Sequence, residues 1–180
     1  EFAARFSGRV HSLARVHAML TDASWQGADL KQLIRDQLLQ GAVEDSRLSA
    51  RGPAVRFDAQ TTVHVALMLH ELGTNCVKYG SLASNQGRVT VTWTVLDGML
   101  LLDWVERGGP AIAVTSRRGF GSTLIEQIAG GSGGKAQMIF EPAGVTWKIS
   151  LRLSAADANA PTAEIEPALD LAIPQPENVG

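Results

Sequence analysis

Glu71, Asn75 and Lys78 fall within the run His70-Glu71-Leu72-Gly73-Thr74-Asn75-Cys76-Val77-Lys78-Tyr79-Gly80. At about 100° per residue, a helix over this run brings the three polar side chains onto one face. An acid, a neutral amide oxygen and a cation in adjacent turns match what phosphoryl transfer asks of a site. They supply a base or orienter, a hard ligand for magnesium, and a partner for phosphate charge. Val63, Leu67, Leu69, Leu72 and Cys76 occupy the other side, so the helix has a core to rest on. A Glu-x-x-x-Asn pair alone is common on solvated helices, and its weight comes from what accompanies it.

Two further segments accompany it: Trp104-Val105-Glu106-Arg107-Gly108-Gly109-Pro110 and Gly119-Phe120-Gly121-Ser122-Thr123-Leu124-Ile125-Glu126. In order and spacing, the three segments resemble the asparagine box and two glycine boxes of the histidine-kinase ATP-binding domain, in the GHKL/Bergerat superfamily. His70 opening the first box and the Trp104-x-Glu106 triplet in the second resemble the marks of the HWE family of sensor histidine kinases. The resemblance runs from about residue 1 to residue 153.

That resemblance implies ATP and Mg2+ as cofactors and gives each box a role. Asn75 becomes the magnesium ligand, Glu71 orients or deprotonates an incoming histidine, and Lys78 holds phosphate. Glu106, ending a buried strand, can accept the adenine 6-amino proton, and Gly108 and Gly109 let the backbone pass close beneath the base. Gly119 and Gly121 flank Phe120 just before a helix, an arrangement that offers backbone N–H groups and a positive helix end to phosphate oxygens, with Ser122 as a candidate cap. Arg117 and Arg118 border a short lid, and Arg118 is the better placed to neutralise a terminal phosphate. Thr146 resembles the threonine that helps hold the base in the wider fold. His70 points away from the Glu71 and Asn75 face and reads as structural.

The elements that must position these residues follow from periodicity. Phe2, Phe6, Val10, Leu13, His17 and Leu20 mark an amphipathic helix, and Leu30, Leu33, Ile34 and Leu38 a second, with Gly41 as its stop. Residues 47–51 and 54–58 read as short strands broken at Gly52-Pro53. Val89, Val91, Trp93 and Val95 alternate with Thr90, Thr92 and Thr94, the pattern of a half-buried strand. Asp97-Gly98 turns it into a strand from Met99 to Glu106, and Pro142-Ala143-Gly144 turns a second hairpin into Val145, Trp147, Ile149, Leu151 and Leu153. The expected fold class is α+β. It is a two-layer α/β sandwich, a mainly antiparallel sheet with helices on one face, preceded by one amphipathic helix.

The chain has 180 residues, 45% of them apolar, and a net charge of −2, which suits one main soluble domain and argues against a general nucleic-acid binder. No apolar run approaches the ~20 residues of a membrane span and no leader is visible, so a cytoplasmic protein without membrane contact by this segment is expected. The single cysteine, Cys76, reads as a small buried hydrophobe. Residues 1–24 are expected to be the second helix of a dimerisation and histidine-phosphotransfer hairpin, 25–153 the catalytic and ATP-binding domain, and 154–180 an acidic Ala/Pro-rich tail without Lys or Arg.

Neither His11 nor His17 sits in the His-Arg-x-x-Asn context that the family uses for its phosphate acceptor, so the acceptor helix is expected upstream of this chain. The resemblance implies transfer of the ATP terminal phosphoryl group to that upstream histidine, then relay to an aspartate of a response-regulator receiver domain. It leaves open a homodimer of the full-length protein. The alternative is an ATP-binding regulatory module of the same fold that acts through partner contacts without kinase activity.

Overall fold

The computed structural model describes residues 27–39, 45–110 and 119–154. In chain order these form β1 (Ala28–Asp29), α1 (Leu30–Leu39), β2 (Leu48–Arg51), β3 (Arg56–Phe57), α2 (Ala59–Lys78), β4 (Arg88–Leu96), β5 (Met99–Arg107), α3 (Phe120–Gly131), β6 (Lys135–Glu141) and β7 (Gly144–Arg152). Short 3₁₀ turns occupy Asp45–Arg47 and Ser81–Ala83. The amino-terminal helix, the Gly41 stop, Arg117, Arg118 and the tail from 155 onward lie outside the described residues.

Five strands make one sheet in the order β2-β4-β5-β7-β6, antiparallel except for the parallel β2–β4 pair. Alternation decides its buried face. Val89, Val91, Trp93, Leu100, Leu102, Trp104, Trp147, Ile149 and Leu151 are buried, while Thr90, Thr92 and Thr94 are exposed. Leu30, Leu33, Ile34 and Leu38 from α1, Met68, Leu69 and Leu72 from α2, and Ile125 and Ala129 from α3 join those strand residues in a single core. The result is the expected two-layer α+β sandwich with its helices over one sheet face.

Local chemistry starts and turns these elements as the sequence suggests. Asp58 caps α2 by accepting from the Thr61 backbone N–H at 2.7 Å. Asp97 and Gly98 both take positive φ, 51° and 71°, which is the two-residue hairpin geometry that keeps Leu96 opposite Met99.

Two expectations differ from the structure. The inward stripe of β4 stops at Trp93, and Val95 is 42% exposed, because β2 pairs only as far as Thr92 and leaves the rest of β4 as an open edge. The two strands broken at Gly52-Pro53 do not share a sheet: β2 joins the large sheet and β3 pairs with β1. The break passes over Trp93, whose indole N–H donates to the Pro53 carbonyl at 2.8 Å.

Candidate functional site

Glu71, Asn75 and Lys78 descend one face of α2 from inside to outside: Glu71 is 6% exposed, Asn75 half-buried and Lys78 exposed. The start of α3 lies against the upper two. A Cβ placed on Gly121 would fall 2.5 Å from Glu71 Oε2 and 3.2 Å from Asn75 Nδ2, so only glycine lets the helices approach this closely. Segments 46 residues apart, counting from Asn75 to Gly121, therefore build one surface.

The end of α3 that faces this surface begins at Gly119, with extended backbone (φ −94°, ψ 174°) and no side-chain cap. Ser122 is not the cap, because it sits one turn inside and its hydroxyl donates to the Gly119 carbonyl at 2.7 Å. That bond satisfies an oxygen, and Gly119 itself has no side chain to accept from the first-turn N–H groups. Phe120, at 63% exposed, stands on the surface beside them.

Glu106 is buried, 4% exposed, and both of its oxygens have partners. Trp104 Nε1–H donates to Oε1 at 3.0 Å, and the Ser81 backbone N–H donates to Oε2 at 2.9 Å. Two residues apart on a strand, Trp104 and Glu106 share the inner face, so the first bond follows from the pleat. The second depends on Gly80, where a Cβ would lie 1.9 Å from Oε2. Ser81 also meets Cys76, with Oγ and Sγ 3.2 Å apart. Burial, and after it the nearby Glu106 charge, push the Cys76 thiol up to about 12.

The first and second boxes are thus joined directly. The Asn75 carbonyl accepts from the Gly80 N–H at 3.1 Å, and Gly80 lies against Glu106.

Gly108 and Gly109 do make close approaches, but to protein. Cβ atoms there would fall 2.8 Å from the Gln86 carbonyl oxygen and 2.7 Å from Ser81 Cα, and Gly108 adopts φ +74°. Their smallness seats the end of β5 against the segment from Ser81 to Gly87. Arg47 fastens the same segment from below, through the Gly87 carbonyl at 2.9 Å and the Ser84 carbonyl.

Thr146 does not join Glu106. It pairs with Val105, so alternation turns it to the opposite sheet face, where its hydroxyl lies 3.4 Å from Arg107 Nη1 and Nη2. Arg107 in turn pairs with Glu141 at 2.5 Å. Gly80, which ends the first box, and Ser81, which follows it, take the positions beside the carboxylate instead.

Comparison with known proteins bears on what this arrangement is. The HWE histidine kinase family model matches residues 1–54. A blue-light-activated histidine kinase of Brucella anthropi is 34% identical over 172 residues, covering 92% of this chain and 33% of that protein. Blue-light-activated histidine kinase 1 of Erythrobacter litoralis is 32% identical over 160 residues, covering 84% of this chain and 44% of that protein. The chain therefore spans less than half the length of either relative. Among solved structures, the histidine kinase domain of an Erythrobacter litoralis blue-light activated histidine kinase matches with a TM-score of 0.63 over 84% of this chain and 76% of that one. Their identity is 18%, so this last likeness concerns the fold.

Proposed function

The chain belongs to the HWE histidine kinase family, and from that premise we propose that residues 25–153 bind Mg-ATP and transfer its terminal phosphoryl group to a histidine upstream. A response-regulator aspartate then receives the phosphate. Residues 1–24 serve as the second helix of the hairpin whose first helix carries the acceptor. Among the described residues no helix is long and apolar enough to cross a membrane.

The observation that carries the reading is the seating of Gly121 on Glu71 and Asn75, which puts a helix N-terminus with glycine at its cap beside an acid and an amide. Phosphate oxygens are the natural occupants of the space between them. They gain from the positive end of the α3 dipole and from backbone N–H groups at Gly119 and Gly121, while exposed Lys78 adds positive charge.

Asn75 offers one half-buried neutral oxygen, and among the described residues no cluster of three His, Cys, Asp or Glu side chains could cage a metal. This donor set fits an ion that keeps waters and phosphate oxygens as its main ligands. When bound, magnesium would neutralise charge that develops on the transferring phosphoryl group. Glu71, held inside and aimed at the same space, accepts or orients the proton of the attacking imidazole. Glu106 receives the adenine amino group, and Arg118 borders the terminal phosphate.

Adding a separate acceptor-bearing hairpin to this chain with labelled ATP tests the proposal. Acid-labile, base-stable phosphate should appear on the added histidine and should be lost in Glu71→Gln, which still binds ATP. ATP binding without any transfer by the unaltered chain would return the domain to a regulatory module.

A further inference from the structure

The Trp104-x-Glu106 pair has an internal geometry that the roles of the three boxes leave unexplained. A carboxylate has about four lone-pair directions over its two oxygens. Trp104 occupies one direction on Oε1 and Ser81 one on Oε2, and the two donors come from different parts of the fold. One is a side chain locked in the sheet core, opposite Trp147 across the β5–β7 pair. The other is the backbone at the end of the first box, held in place by Arg47 through the Ser84 and Gly87 carbonyls. Two anchors on opposite oxygens fix the plane of a carboxylate that one anchor would leave free to turn about its last side-chain bond.

We infer that Trp104 is a positioning residue for nucleotide selection: its indole N–H fixes the Glu106 carboxylate so that the remaining lone pairs face the base in a single orientation. This rests on the reading of Glu106 as the acceptor of the adenine amino group. A fixed acceptor discriminates by what it meets. An amino donor at purine position 6 completes its hydrogen bonds, whereas an oxo group there confronts it with a second acceptor. A carboxylate free to rotate can turn away from the oxo group, so the penalty against the wrong base shrinks. Trp104 thereby acts on selectivity without touching the nucleotide. Gly80 belongs to the same device, since any side chain there would occupy the space that Oε2 uses.

The experiment compares ATP with inosine triphosphate, which differs at the 6 position, by competition binding to the full chain. Trp104→Phe removes the N–H along with some ring volume. For unchanged volume, a benzothiophene isostere of tryptophan introduced at position 104 replaces only the N–H by sulfur. Glu106→Gln reports on the acceptor itself. Both Trp104 replacements should lower the ATP-to-inosine preference by about tenfold, the worth of one hydrogen bond, and leave the magnesium dependence of ATP binding unchanged. A role confined to packing would move the melting temperature of Trp104→Phe and leave the preference of the isostere alone. An unchanged preference in the isostere, with a lowered one in Glu106→Gln, overturns the positioning role and spares the base reading. An unchanged preference in Glu106→Gln removes the base reading itself, and the inference with it.

Discussion

Gly121 lies against Glu71 so closely that a methyl group on it would come within 2.5 Å of Glu71 Oε2. The carboxylate is buried and has little room to step aside, so the usual preference of a helix for alanine over glycine is reversed at this position. Each helix fixes what the other can present, the glycine-bounded start of α3 on one side and the acid and amide of α2 on the other.

Gly121→Ala should therefore fail to gain the ~0.5–1 kcal/mol that alanine normally brings to a helix, and should weaken ATP binding by about tenfold as Glu71 and Asn75 are displaced. Gly130, on the same helix, has nothing within 4 Å of its Cβ position, and Gly130→Ala should be stabilising and leave binding unchanged. Thermal melts and ATP titrations of the two variants decide it. Equal behaviour would mean that the contact at Gly121 is of no consequence.

Asn75→Ala should weaken magnesium-dependent ATP binding, because it removes the neutral amide oxygen that would serve as a ligand to bound magnesium. Binding measured in chelator should change little. Calorimetric titration with and without magnesium separates the two contributions, and an identical magnesium dependence in variant and parent would take Asn75 out of the site.

Glu106→Ala strips partners from two buried donors, the Ser81 N–H and the Trp104 indole N–H. Leaving a buried donor unsatisfied costs about 1–3 kcal/mol, so the loss of stability should be on the order of 3 kcal/mol. Urea unfolding would show it as a lower midpoint with little change in slope. A loss below about 0.5 kcal/mol would mean that both donors find water when the carboxylate is gone.

How much of this was legible beforehand depends on the range of the interaction. The shared face of Glu71, Asn75 and Lys78, the alternation of β4 and the Asp97-Gly98 turn are local, and periodicity and turn chemistry are enough to read them. Trp104 and Glu106, two apart on a strand, are also readable as neighbours, although only the fold shows that they bond. Ser81 was out of reach because its N–H meets Glu106 only after the chain leaves α2, turns and returns along β4 and β5. Gly108 and Gly109 signal close approach, but sequence does not say to what. Thr146 shows resemblance overriding pattern: next to Trp147, alternation already turns it to the other face of the sheet from Glu106.

Cys76 offers a prediction in pH. Burial is the main reason its thiol is pushed from 9.0 to about 12, and the Glu106 charge adds to it. In the unfolded chain the thiol ionises near its ordinary value, while in the folded protein it stays protonated until about pH 12. Below pH 9 both states hold the proton and stability does not depend on this group. Between about pH 9 and pH 12 only the unfolded state releases it, so stability falls as pH rises, by at most about 1.4 kcal/mol per pH unit. Cys76→Ala has no such proton to lose. Its stability relative to the parent should thus improve steadily from pH 9 to pH 11, whatever constant difference separates the two at neutral pH. Lysine and tyrosine titrations are common to both proteins and cancel in the comparison. The same shift leaves almost no thiolate at pH 8, so a thiol reagent should label Cys76 only as fast as the domain opens. Urea unfolding of both proteins across this pH range is the deciding measurement. Parallel stability curves would show that Cys76 ionises equally easily in the folded and unfolded chain, and that Glu106 and the core leave its thiol unperturbed.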